Sequence, residues 1–180
     1  VEIRLANLDS KDEVEKNGDI GVVEVKGPNV FLGYWKQPEK TKSEFRDDGF
    51  FITGDVGFLD QDNYLTIVGR NKDLIITGGL NVYPKEIETV IDQDSSVEES
   101  AVVGVYHPDF GEGILAIIVE KKGHSINIDI LNEVLRKNLA TFKLPKKIHV
   151  IKELPRNSMG KVQKNLLRDI YRDEFSDKNK

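Results

Sequence analysis

Cysteine is missing from this sequence altogether, which excludes disulfides and thiolate metal sites. Histidine is scarce, and His107, His124 and His149 are too widely spaced to suggest a metal centre. Long apolar runs are also missing. Leu115-Ala116-Ile117-Ile118-Val119 is typical of those present and falls far short of the roughly 18 residues a membrane helix needs, so no membrane span is expected. There is no excess of positive charge: the formal net charge is -5, the pI is near 5.3, and the lysines and arginines are dispersed. No nucleic-acid surface is expected, because such surfaces cluster cations that displace counterions from phosphates. Internal repeats are absent, and the one biased segment is a charged tail, Asp173 to Lys180, expected to fray. Val1 opens inside what reads as a strand, with no initiator methionine and no leader. The expectation is that the natural start lies upstream; a cytoplasmic location is expected, with the mitochondrion left open.

Hydrophobic residues make up 38% of the 180, enough for the core of one domain, or of one domain with part of another. The first third reads as short strands joined by turns. Val1 to Leu5, Gly21 to Lys26, Phe51 to Leu59 and Tyr64 to Val68 have strand character, with Asp60-Gln61-Asp62-Asn63 as a turn and Pro38 to Phe45 as one polar, surface helix. After Arg70 the texture alternates. Pro84 can begin a helix whose Ile87, Val90 and Ile91 share a face, and Ser100 to Val105, Leu115 to Glu120 and Lys147 to Ile151 read as buried strands. Two further helices are expected, from about Ile128 to Leu139 and from Lys161 onward through Leu166 and Ile170. The fold class is α+β: a small β-subdomain over residues 1–70, then a domain over 71–180 with a mixed or antiparallel sheet flanked by helices. A hinge is expected near 70–73, where Arg70, Lys72 and Asp73 interrupt two apolar strands.

Four places could carry chemistry. Asp55 ends an aromatic-apolar strand after Thr53-Gly54, where a carboxylate can hold a vicinal diol such as a ribose or simply cap turn amides. Arg70 ends the next strand, and its fork of donors suits a hydroxyl, a carboxylate or phosphate, or an interdomain salt bridge. Thr77-Gly78-Gly79 offers backbone without side chains, as a hairpin turn by default and a close-approach path otherwise. Lys161 follows Gly160 and a flexible-looking Arg156-Asn157-Ser158-Met159; it can reach from a mobile loop into a site or remain a solvated charge, and it fits no Walker motif. Lys143, Lys146 and Lys147 around Pro145 read as a solvated turn, with coenzyme phosphates as the alternative partner.

Taken together and in order, these residues resemble the C-terminal part of the adenylate-forming superfamily, which includes acyl-CoA synthetases. The likeness covers nearly the whole chain: Gly33-Tyr34-Trp35, Thr53-Gly54-Asp55, Gly69-Arg70 with Asp73, Gly78-Gly79, Pro84 with Glu86-Ile87-Glu88, and Gly160-Lys161 match successive family motifs. Within the superfamily, Asp48 to Asp55, Ile76 to Glu88, His107 to Gly113 and Pro155 to Asn165 are most similar to malonyl-CoA synthetases. Lys164-Asn165 stands where the commoner pattern has arginines, a departure that favours this subgroup.

The resemblance implies a ligase that adenylates a carboxylate, malonate by subgroup likeness, with ATP and then passes the acyl group to coenzyme A with release of AMP. It implies that Asp55 and Arg70 hold the ribose, that Lys161 is catalytic in adenylation, that Lys72 is the hinge, and that Gly78, Gly79 and Leu80 line the pantetheine path. It also implies that the phosphate loop, the acid pocket and the Mg2+ ligands lie upstream of Val1, so this chain alone would not adenylate. A synthetase for another short or medium acid, or a non-catalytic interaction module of the same fold, are the alternatives.

Overall fold

The computed structural model describes residues 1–8, 10, 12–14 and 18–176. The chain divides into two compact units, Val1–Lys72 and Asp73–Lys180. The first is a four-stranded antiparallel sheet in the order β1-β2-β3-β4, with β1 at Glu2–Ala6, β2 at Gly21–Lys26, β3 at Phe51–Leu59 and β4 at Leu65–Arg70. Helix α1, Pro38–Glu44, buries no residue, in keeping with its polarity.

One charge in this unit runs against the pattern of a half-buried strand. Glu24 of β2 is fully buried, which is tolerable because two arginines share its carboxylate: Arg4 on Oε2 at 2.8 Å and Arg46 on Oε1 at 2.6 Å. Arg4 also pairs with Asp48 at 2.6 Å. That hydrogen bond raises the arginine pKa and lowers that of Asp48.

The second unit is an α+β layer structure around a mixed sheet. The antiparallel order is β6-β5-β8-β7, and β9 adds to β8 in parallel. Here β5 is Ile75–Thr77, β6 Leu80–Val82, β7 Val97–His107, β8 Gly111–Glu120 and β9 Lys147–Ile151. The long β7–β8 hairpin has side chains alternating between faces, and both faces are dry. Val102, Ile114, Ala116 and Ile118 pack with Ile87 and Ile91 of α2 (Pro84–Ile91) and Leu131 and Leu135 of α3 (Ile128–Asn138). Ala101, Val103, Leu115 and Ile117 face Leu154 and Leu167, the latter from α4 (Lys164–Ile170). Burial on two sides explains why β8 is apolar without alternation in sequence. Asn127 caps α3, its side chain accepting from Asp129 and Ile130 amides at 3.0 and 3.2 Å.

Three sequence expectations are corrected. Both β7 and β8 run further than their apolar cores, because pairing continues down to His107 opposite Gly111 across a short turn. Helix α4 starts at Lys164, not Lys161, because Val162 is held in an antiparallel bridge with Arg156. The described part of the tail is anchored. Phe175 packs on the second core cluster, and Glu174 meets Lys147 and His149 of β9. Burial pushes the Glu174 carboxylate up, but Lys147 and His149 outweigh it and hold it below its ordinary range. Residues 177–180 of the expected frayed tail lie outside the described residues.

Strand β7 forms an outer edge of the sheet, and a buried carboxylate covers part of it. Glu88 of α2, 6% exposed, accepts the Val102 amide at 2.8 Å and the Lys164 ammonium at 2.6 Å. Glu88→Ala strands both donors and is expected to cost about 3 kcal/mol, at the low end for breaking a buried pair because Lys164 keeps some access to water. Urea unfolding with an unchanged m-value would check it; a loss within about 0.5 kcal/mol, the range of ordinary surface changes, would show that the pair does not hold the fold.

Candidate functional site

Asp55 and Arg70 stand opposite each other in the β3–β4 register, and a local irregularity in β3 aims the first of them. Between the pairs Val22↔Val56 and Glu24↔Ile52, β3 places Thr53, Gly54 and Asp55 where β2 has Val23 alone. The extra backbone is tied down by the Thr53 hydroxyl, which donates to Val23 O at 2.8 Å and accepts the Asp55 amide at 3.0 Å. Gly54 takes φ +73°, a conformation costly for a side-chain-bearing residue. Such bulges commonly re-aim a side chain beside a site.

The Asp55 carboxylate meets the Arg70 guanidinium, Oδ1 to Nη1, at 2.8 Å, and the same Nη1 donates to Thr53 O at 3.0 Å. The two side chains are 36% and 48% exposed, so the pair is formed yet open to solvent. Among the described residues no donor is paired with the second Asp55 oxygen. The chemistry on offer is one acceptor oxygen beside a fixed fork of donors, suited to a vicinal diol. The turn-cap reading of Asp55 does not describe this carboxylate, whose partner is a side chain.

Gly78 and Gly79 form the two-residue turn of the β5–β6 hairpin, closed by Thr77 opposite Leu80. Their φ values of +57° and +79° are those of a primed hairpin turn, which matches strand twist. Gly78 donates to Phe110 O at 2.8 Å, joining this tip to the β7–β8 turn. Leu80 is about half exposed, so the tip presents bare backbone followed by an apolar side chain. Glu112 of β8, not singled out from sequence, holds the same hairpin to its neighbouring strand: its carboxylate accepts the Ile76 amide of β5 at 2.7 Å. Its signal in the sequence was its setting, Gly111-Glu112-Gly113 opening an apolar strand.

Lys161 lies in a tight hairpin, and the expectation of a slack loop is corrected. Asn157 Oδ1 accepts the Met159 and Lys161 amides at 3.0 and 2.9 Å, while Asn157 N donates to Lys161 O at 3.0 Å. The Lys161 side chain is exposed, and among the described residues its ammonium has no acceptor partner. The lysine thus presents an exposed charge from a hydrogen-bonded backbone. Lys72 is an exposed residue of the 3-10 turn Asn71–Asp73, and Asp73 pairs with Arg168 of α4 at 2.6 Å. Of the basic group near Pro145, Lys143 meets Glu86 at 2.6 Å, Lys147 meets Glu174, and Lys146 lies 4.5 Å over the Phe110 ring. Two of those three charges are therefore already paired. Among the described residues no helix is long and apolar enough to cross a membrane.

The chain is similar to known proteins over most of its length. Residues 86–161 match the family described as AMP-binding enzyme C-terminal domain. A long-chain-fatty-acid--CoA ligase of Salmonella typhimurium is 40% identical over 95% of this chain and 30% of its own length. A 2-succinylbenzoate--CoA ligase of a Geobacillus strain is 38% identical over 89% of this chain and 34% of its own. Among solved structures, ATP-bound MatB of Rhodopseudomonas palustris, a malonyl-CoA synthetase, is 56% identical over 97% of this chain and 35% of its own, with a TM-score of 0.89. The apo form of that protein matches at the same identity and coverage with a TM-score of 0.73. The chain spans about a third of the length of the relatives it matches.

The glycine tip gives a sharp test of backbone against side-chain constraint. A Cβ at Gly79 would meet nothing within 4 Å, so the cost of a substitution is conformational. Gly79→Val is expected to lose about 1–2 kcal/mol in denaturant unfolding, and Gly79→Asn much less, because asparagine tolerates positive φ. Equal losses for the two would mean that something other than φ limits the position.

Proposed function

We propose, because this chain belongs to the family of AMP-binding enzyme C-terminal domains, that it is the C-terminal portion of an ATP-dependent acyl-CoA synthetase whose acid is malonate. The observation that carries the reading is the continuous, majority-identical match to MatB through both units. Relatives matched at about 40% identity are named for a long-chain fatty acid or 2-succinylbenzoate, so malonate rests on the higher identity to MatB and other acids are kept in the test.

In the first step a carboxylate oxygen of the acid bonds to the α-phosphorus of ATP, the bond to the β-phosphate bridge breaks, and pyrophosphate leaves. In the second, the thiol sulfur of coenzyme A bonds to the acyl carbon, AMP leaves with the former carboxylate oxygen, and the thiol proton goes to solvent. Asp55, with one carboxylate oxygen committed to Arg70, accepts from the ribose hydroxyls in both steps, and Arg70 fixes its orientation. Lys161 brings its ammonium to the carboxylate oxygen and α-phosphate during adenylation, where charge grows in the transition state.

The bare backbone at Gly78-Gly79 and the apolar Leu80 suit the narrow path of a pantetheine arm in the second step. Lys72, exposed in a short turn, is the hinge residue that lets one domain serve both steps. That the ATP-bound and apo structures of MatB match this chain to different degrees at one identity supports a relative with more than one conformation. Among the described residues no group of three or more potential metal ligands lies together, and no step assigned to this chain runs through the Mg2+ that accompanies ATP.

The test is AMP release by the full-length protein supplied with ATP, magnesium, coenzyme A and, separately, malonate, methylmalonate, acetate and a longer fatty acid. Turnover with malonate supports the reading; turnover with another acid replaces malonate alone, and none with any acid refutes the synthetase assignment. In the same protein, Lys161→Ala is expected to lose about 2–4 kcal/mol of transition-state stabilisation in adenylation, while thioester formation from supplied acyl-adenylate is spared. Matched losses in the two half-reactions would remove Lys161 from its role.

A further inference from the structure

The peptide unit that joins Gly160 to Lys161 is gripped at both of its polar ends. Its carbonyl, Gly160 O, accepts from Arg156 Nη1 at 2.7 Å. Its amide, Lys161 N, donates to Asn157 Oδ1 at 2.9 Å. Because a peptide is planar, two bonds on opposite edges fix this plane, and Lys161 O, which accepts Asn157 N at 3.0 Å, restrains the next one, so the Cα–Cβ direction between them is set. The grip has work to do, because Gly160 sits at φ +79° with no neighbour within 4 Å of a would-be Cβ. Glycine rotates freely in such open space, so packing does not hold the plane.

Arg156 is itself held. Its other terminal nitrogen, Nη2, donates to the carboxylate of Glu99 on β7. The antiparallel bridge between Arg156 and Val162 closes the hairpin, and beyond it Lys164 is fastened to Glu88. Both feet of the loop are thus attached to the α2–β7 face of the unit. The Arg156–Glu99 pair is 44% and 27% exposed, and pairs so exposed add little to fold stability. Its geometric consequence is larger than its energetic one.

We propose that Arg156, anchored by Glu99, is a positioning residue for Lys161: it clamps the Gly160–Lys161 peptide so that the ammonium reaches the reacting phosphate from one fixed origin. The proposal rests on the assignment of Lys161 to adenylation made above. Arg156 touches no substrate and acts through the lysine, so its effect must vanish when the lysine is gone.

The experiment is a double-mutant cycle in the full-length enzyme, reading acyl-adenylate formation and thioester formation from supplied acyl-adenylate separately. Arg156→Gln is expected to slow acyl-adenylate formation by about ten- to a hundredfold, the range for a displaced reacting group. The KM for ATP and acid, the thioester step and the melting temperature should hardly move. In a Lys161→Ala background Arg156→Gln should cost nothing further. Glu99→Gln should act in the same direction and more weakly, and it carries the same cycle if Arg156→Gln does not fold. Equal loss in both half-reactions, equal loss with and without Lys161, or failure of both variants to fold would each overturn the proposal in favour of a structural role. If Lys161→Ala itself leaves acyl-adenylate formation unchanged, the assignment of the lysine falls first, and this inference falls with it.

Discussion

The second unit depends on a strand that must be kept dry on two sides. Ile114 to Val119 of β8 are all buried, and alternate members belong to separate core clusters. A strand in this position cannot be covered by one layer of helices. It requires α2 and α3 on one face and α4 with the segment around Leu154 on the other, and close packing on both faces leaves little room for any of them to shift. The placement of α4 is a consequence, and so is that of the Lys161 hairpin that leads into it.

Polar groups enter this scheme where backbone would otherwise go unpaired. Glu88 and Glu112 each accept a strand amide, those of Val102 and Ile76; the first ties the β7 edge to α2, and the second joins β8 to β5. Glu24 does comparable work in the first unit by gathering Arg4 and Arg46. The residues proposed to meet substrate are of a different kind. Asp55, Gly78, Gly79 and Lys161 stand on a bulge or in turns, at the margins of rigid sheets, where a chain can face solvent without exposing its core.

Much of this was legible in the residues. The strands Gly21–Lys26 and Phe51–Leu59, the helix begun by Pro84 and the default reading of Gly78-Gly79 as a hairpin turn follow from local pattern and turn chemistry, which act over a few residues. Glu24 and Glu88 were not legible as buried, because a carboxylate in an amphipathic segment reads as its wet face until its partners are known. Those partners, Arg46 and Lys164, lie far along the chain. The ordering of the Lys161 loop was hidden for the same reason: glycine and small polar residues suggest slackness, while Asn157 and Arg156 supply the bonds that remove it. The anchoring of Glu174 and Phe175 likewise lies in contacts with β9 and the β7–β8 hairpin.

Phe175 closes over β8 at Gly113, where a Cβ would come within 2.5 Å of the aromatic ring. The two positions therefore share one space. A side chain at 113 needs the ring at 175 to move aside or shrink, so two positions remote from each other in sequence and both outside the proposed chemistry are coupled through one shared volume.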